Sequence, residues 1–321
     1  MNTRNYVHYA YENTYSTSPG DAAITGYFGH NVKFSASPKN NILRIPNLNS
    51  RNYTKYAARK FEGSFSADFD VSNWYFMKGA IGTPTTTGSG PYTHKYAEVN
   101  TPSGVTIQQS EDLDTDSERT LVGAVFDKTT VNFNVGEVIT GKVDGFYASE
   151  SKDSSLNTAG NAADSEEVFT FSHAYLQQPA GTTIGLIQST DLTISNNVEM
   201  IWQLNSRLAQ QRAYKQKVYE FKINKIREAD VDILDKFYGG TTALTNPGTP
   251  ASGASLTIAA DNGLGGTSAR SFVARFDNIM YDDYTAALEP GEVMKEGATI
   301  YALNLNSASG ALYINNSASH L

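Results

Sequence analysis

Apolar and polar residues alternate along much of this chain, and the alternation stops wherever Gly, Asn, Asp and Ser cluster. Such period-two stretches, rich in Val, Ile, Thr and aromatic residues, predict strands at 7–11, 32–35, 61–69, 121–126, 142–148, 168–175, 192–195, 218–223, 256–259, 272–276 and 299–303. Helical periodicity is confined to two short pieces, 71–78 and 229–238. In the second, Val231, Ile233, Leu234 and Phe237 share one face, with Asp230, Asp232, Asp235 and Lys236 mostly on the other. The expected fold class is mainly β with two short helices.

The pattern then repeats. Val7-His8-Tyr9-Ala10-Tyr11 is echoed by Phe171-Ser172-His173-Ala174-Tyr175, and Asn31–Ser35 by Asp191–Ser195 at an offset of 160. The same offset sets Phe61 on Phe221, Met77 on Phe237 and Gly79 on Gly239. Residues 121–127 match 271–277 at an offset of 150, each ending in Phe-Asp. Gly136-Glu137-Val138 matches Gly291-Glu292-Val293. Any two β-domains share Gly turns and alternating strands, so no single match decides the matter; seven in one order predict two tandem domains. The expected division is 1–152, a linker at 153–165 of polar, flexible composition, and 166–321.

Each half has a long basic excursion after its second strand, at 37–60 and 196–217. Loops of this length are uncommon in compact domains and are usually functional or disordered. The first carries Arg44, Arg51, Lys55 and Arg59 around Leu48; the second carries Arg207, Arg212 and Lys215 near Met200 and Trp202. Apolar side chains set among charge suggest interfaces, and both excursions are expected to act as docking arms.

The whole chain of 321 residues is acidic, with a formal charge of −8. Gripping nucleic acid normally calls for a basic surplus, so tight DNA binding is not expected, whereas repelling it is compatible. The 321 residues contain no cysteine, which removes disulfide and thiolate chemistry. The amino-terminal segment lacks the apolar core of a signal peptide, and no stretch has the ~18 apolar residues of a membrane span.

Candidate chemistry is sparse. His8, His30, His94, His173 and His320 have no metal-ligand spacing. No nucleophile elbow is present, and 262–266 is a glycine-rich turn without a phosphate-loop Lys. The acidic run 111–118 has alternate carboxylates that suit a hard cation, but not the spacing of a calcium loop; a solvated loop is the simpler expectation. Asp282-Asp283 is expected at a hairpin tip.

The unit of strand, long loop, strand, short helix, strand and a Gly-Glu-Val hairpin resembles the tail-tube fold of long-tailed bacterial and archaeal viruses, a fold related to contractile-tail tubes and type VI secretion tubes. The resemblance covers nearly the whole chain. It implies the major tail tube family of siphovirus-like phages or archaeal tailed viruses, in a subtype with a duplicated tube domain. In that family six tube domains form a ring and rings stack into a conduit for genome ejection; two domains per chain imply homotrimeric, pseudo-hexameric rings.

The resemblance further implies inter-ring contacts through Arg44, Leu48, Arg51, Lys55, Arg59, Met200, Trp202, Arg207, Arg212 and Lys215. It implies passage of DNA and a tape-measure protein without specific binding, other tail proteins at the tube ends, and residence in the virion. No cofactor, membrane or enzymatic activity is implied. Alternative readings are a tail terminator, sheath or decoration protein, or a carbohydrate-binding β-sandwich or adhesin using Tyr92, Tyr96, Tyr281 and Tyr284 as stacking platforms.

Overall fold

The structure is a computed structural model that describes residues 5–112, 115–157, 166–178, 181–227, 232–238, 254–265 and 268–315. Residues 158–165 of the expected linker, 113–114 of the acidic run, 229–231 of the second expected helix, Gly239 and His320 lie outside the described residues.

The first half contributes β1 (Tyr6–Tyr11), β2 (His30–Lys39), β3 (Ile42–Ile45), β4 (Lys55–Ala58), β5 (Glu62–Asp70), β6 (Pro84–Thr87), β7 (Tyr92–Tyr96), β8 (Val105–Glu111), β9 (Ser117–Asn134), β10 (Thr140–Tyr147) and β11 (Ser149–Asp153). The second half contributes β12 (Ala174–Gln177), β13 (Ile187–Ser195), β14 (Val198–Ile201), β15 (Gln211–Tyr214), β16 (Val218–Ile226), β17 (Ser255–Asp261), β18 (Ser271–Ala287), β19 (Lys295–Leu305) and β20 (Ala311–Asn315). Two short helices, α1 (Met77–Ala80) and α2 (Asp232–Tyr238), follow β5 and β16. The chain is thus mainly β, and no described helix is long and apolar enough to cross a membrane.

One sheet runs through both halves in the order β2-β5-β10-β9-β13-β16-β19-β18. The first four strands and the last four follow the same sequence of roles: second strand, third strand, hairpin return, hairpin entry. The halves meet where β9 pairs antiparallel with β13, from Asn134 opposite Ser189 to Lys128 opposite Ser195. Beyond β18 the sheet continues through β20 to β7 and β6, so the second half also takes in two strands of the first.

Strands β9 and β18 are long because each serves two layers. The early part of β9 pairs with β8 and β11, and its later part with β10 and β13. The change of layer falls beside Gly123, whose φ of +69° favours a residue without Cβ. In β18 the corresponding residue is Asn278 at φ +54°, and Asn is the side chain that best tolerates this conformation.

Paired landmarks fix how the halves correspond. Asn41 and Asn197 (φ +47° and +49°) are 156 apart, Gly123 and Asn278 155 apart, and Gly136 and Gly291 (both +87°) 155 apart. A bulge sits at Asp127 in β9 and at Asp282 in β18, again 155 apart. The offsets of 160 and 150 expected from the sequence are therefore corrected to 155–156, which sets Phe65, not Phe61, on Phe221. Side-chain alternation has a period of two, so a displacement of four leaves every residue on its proper face and the pattern cannot detect it. The Phe-Asp identity misled separately: Phe276 precedes the bulge that Phe126 adjoins.

Other expectations also shift. Helix α1 is a single turn, because 71–76 is spent on irregular chain that buries Val71, Trp74 and Phe76. Residues 171–173 form a 3-10 turn rather than a strand. Asp282-Asp283 lies within β18, and the hairpin tip is 288–294.

The main core cluster extends through both halves, from Tyr9, Phe28 and Phe69 past Trp74 to Phe221 and Phe276. Each fully buried aromatic contributes roughly 1.5–3 kcal/mol by leaving water. Gly141 shows how tightly the sheet packs, since a Cβ there would lie 2.5 Å from the Phe69 ring.

Candidate assembly interface

The sheet has one face on the core and one polar face, as alternation requires. In β5 the residues Phe65, Ala67 and Phe69 are buried while Ser64, Ser66 and Asp68 point the other way. The polar face is rich in Ser, Thr and Asn, with Lys33, Asp68, Lys142, Asp144, Asp191, Glu220 and Lys222 among them. Its charges largely compensate: Lys142 Nζ lies 3.9 Å from Asp68 and 3.8 Å from Asp144, and Lys222 lies 3.2 Å from Glu220. Exposed pairs of this kind contribute little stability, but they leave few cations available to hold phosphate.

The two basic excursions are β-hairpins. Strands β3 and β4 pair from Ile42 opposite Ala58 to Ile45 opposite Lys55, and every residue of both is exposed. Leu48 at the tip is fully exposed, and Arg44, Arg51, Lys55 and Arg59 are exposed, with the Arg44 guanidinium 6.0 Å from the Tyr53 ring centre.

The second hairpin, β14–β15, lies on the body of the chain. Val198 and Met200 are buried against Val125 and Ala148 of the first half. Asp127 anchors its root, accepting hydrogen bonds from the Asn196 backbone at 2.7 Å and the Val198 backbone at 2.6 Å. The Arg212 guanidinium sits 4.4 Å over Tyr15 and donates to the Pro102 carbonyl at 2.9 Å. Trp202 Nε1 donates to the Phe61 carbonyl at 3.1 Å. Arg207 ties the two hairpins together, donating to the Arg59 carbonyl and to Asn40 Oδ1 at 2.8 and 2.9 Å. Lys215 pairs with Glu199 at 2.9 Å.

Of the ten docking residues read from the sequence, the five on the first hairpin are therefore exposed together. Met200, Trp202 and Arg212 contact their own chain instead. Sequence alone could not separate these cases, because the buried Val198 in β14 and the exposed Ile42 in β3 occupy equivalent positions in equivalent hairpins. What decides is whether another half lies underneath, and among the described residues only the second hairpin has one.

The sheet ends are also unlike. The hairpins rise from the end where Lys39 and Lys60 lie; the opposite end carries the Gly-Glu-Val turns with Glu137, Glu289 and Glu292. At the sides, β2 has β5 as its one strand neighbour among the described residues, and the later part of β18 has β19.

An aromatic platform is not formed. Tyr96 is fully buried and donates to the Trp74 carbonyl, while Tyr281 and Tyr284 are half-buried with hydroxyls donated to Gln178 and Glu296. Glu118 of the acidic run is buried and accepts from the Asn157 backbone and Ser110. No metal-binding group of His, Asp and Glu occurs among the described residues.

Among curated proteins the chain has no match. A polar-faced sheet with open edges and unlike ends is suited to repeated assembly, and residues 2–294 match the family model described as phage tail tube protein; the chain belongs to that family.

Proposed function

We propose that this chain builds a hollow tube as stacked homotrimeric rings, each of pseudo-sixfold symmetry, and that the tube carries the genome during ejection. As a member of the phage tail tube family it is a structural component of the virion. The observation that carries the finer reading is the repeated strand order within one sheet, β2-β5-β10-β9 followed by β13-β16-β19-β18. Each half then supplies one tube unit, 1–152 and 166–321, as in a duplicated subtype of long-tailed viruses. Three such chains, joined edge to edge, close a barrel and remove the exposed edges that otherwise invite aggregation.

The polar face then lines the lumen. Its Ser, Thr and Asn side chains and paired charges, in a chain of net charge −8, give DNA and a tape-measure protein nothing specific to hold. The first hairpin reaches along the axis, bringing Arg44, Arg51, Lys55 and Arg59 to the Glu137, Glu289 and Glu292 end of the next ring. Other tail proteins meet the two unlike ends of the tube. The chain works as architecture rather than as an enzyme.

Negative-stain microscopy and light scattering of the purified protein test this reading. Trimers or tubes with sixfold-like cross-sections are expected; strictly monomeric protein at high concentration would overturn it.

A further inference from the structure

The junction between the two halves is a worked example of how one half docks on another. It has three parts. Along the β9–β13 pairing, Thr130 and Thr193 face each other with hydroxyl oxygens 3.1 Å apart. At one end Asp127, Val125 and Ala148 receive the root of the second hairpin. At the other end Phe133, 5% exposed, fills the space beside Leu176, Ile187 and Thr190, leaving a cavity of only about 70 Å³.

Moved by 155 residues, the receiving side becomes β18 and its surroundings, where no other sheet half docks among the described residues. Val125 becomes Met280 (49% exposed), Ala148 becomes Leu303 (74%) and Phe133 becomes Leu288 (78%). Moved back by 156, the docking side becomes β2 and the root of the first hairpin. Asn196 becomes Asn40, and Val198 becomes the exposed Ile42. Here the space beside Tyr6, Val7, Val32 and Phe34 is an open cavity of about 340 Å³. Its walls are the counterparts of the small cavity's walls; among the described residues no strand fills it as β9 fills the small one. Four exposed apolar side chains and one large cavity thus have a common explanation.

We propose, building on the ring reading above, that a second copy of this chain lays β2 along β18 in the register of the internal junction. Lys39 then faces Asp283, Ser37 faces Thr285, Ser35 faces Ala287 and Lys33 faces Glu289. Leu288 enters the cavity between β1 and β2 of the second copy, and Ile42 of that copy covers Met280 and Leu303. Charge supports the register independently, since both Lys residues meet carboxylates across the strands. The first hairpin is accordingly held sideways at its root by its neighbour in the ring, while its exposed basic side chains remain available for the axial contact.

The test uses the absence of native cysteine. The double variant Ser37→Cys, Thr285→Cys places two sulfurs where the internal counterparts are Thr hydroxyls in contact, within reach of a disulfide. Under mild oxidation it is expected to give covalent trimers on non-reducing gels, with neither single variant doing so. Leu288→Asp, at a position exposed within the chain, is expected to leave the monomer's circular dichroism unchanged and weaken association about tenfold or more. Rings that form normally without the cross-link, or with Leu288→Asp at full strength, overturn this register while leaving the tube reading intact. Protein that is monomeric under all conditions overturns both.

Discussion

The indole of Trp74 lies flat on the ring of Phe272, with centroids 4.0 Å apart and planes 8° from parallel. Trp74 belongs to the first half and Phe272 to the second, so this stack joins the halves behind the sheet as the β9–β13 pairing joins them within it. Phe169 meets the same indole edge-on at 5.7 Å. Trp74→Ala is expected to cost roughly 3–5 kcal/mol, the range for deleting a buried aromatic. Urea denaturation should show both halves losing stability in one transition; two separated transitions with one unaffected would refute the shared core.

Lys225 and Glu296 form a buried ion pair 3.6 Å apart, with side chains 2% and 0% exposed. Their counterparts in the first half are Phe69 and Gly141, where an aromatic ring covers a glycine. Glu296→Gln should cost roughly 3–5 kcal/mol because it removes the negative charge that faces a buried ammonium. The double replacement Lys225→Phe, Glu296→Gly copies the solution of the other half. It should recover most of that loss in thermal melts.

The β class and most inner-sheet strands were legible because apolar residues alternate sharply there. Phe65, Ala67 and Phe69 illustrate this against Ser64, Ser66 and Asp68. Strand β8 was not legible: Thr106, Gln108 and Ser110 are buried, held by Glu12, Asp21 and Glu118, so a core face reads as polar. Strands β3 and β4 escaped notice for another reason: a hairpin that leaves the body needs no alternating core face, and every residue of both strands is exposed. The partners of Met200 and Arg212 were beyond reach, since Val125, Ala148 and Tyr15 come from distant parts of the chain.

His8 is buried beside Tyr6, their rings stacked 4.9 Å apart, and burial pushes its pKa down from 6.5 to about 4. A base whose folded value is depressed stabilises the fold above its unfolded value and loses that contribution as pH falls through the folded one. The stability difference between the native chain and His8→Gln should therefore shrink as pH drops from 6.5 to about 4. A difference that stays constant over that interval would contradict the burial effect.

Replacing residues 46–54 with a two-residue turn removes Leu48 and Arg51 but keeps β3, β4 and the hairpin root. Rings are expected to form and to remain unstacked, seen as isolated discs in electron micrographs. Tubes of normal length from this variant would remove the axial role of the hairpin tip.

The pairing of β9 with β13 has a mechanical consequence. In the proposed three-chain ring, half of the six seams between tube units lie inside a chain and half between chains. The internal seams re-form at high effective concentration whenever they open, while the others depend on the supply of free subunits. A tube of such rings has lines of strength and lines of cleavage alternating around its wall. Under tension or denaturant it should split lengthwise into whole chains, never into single units.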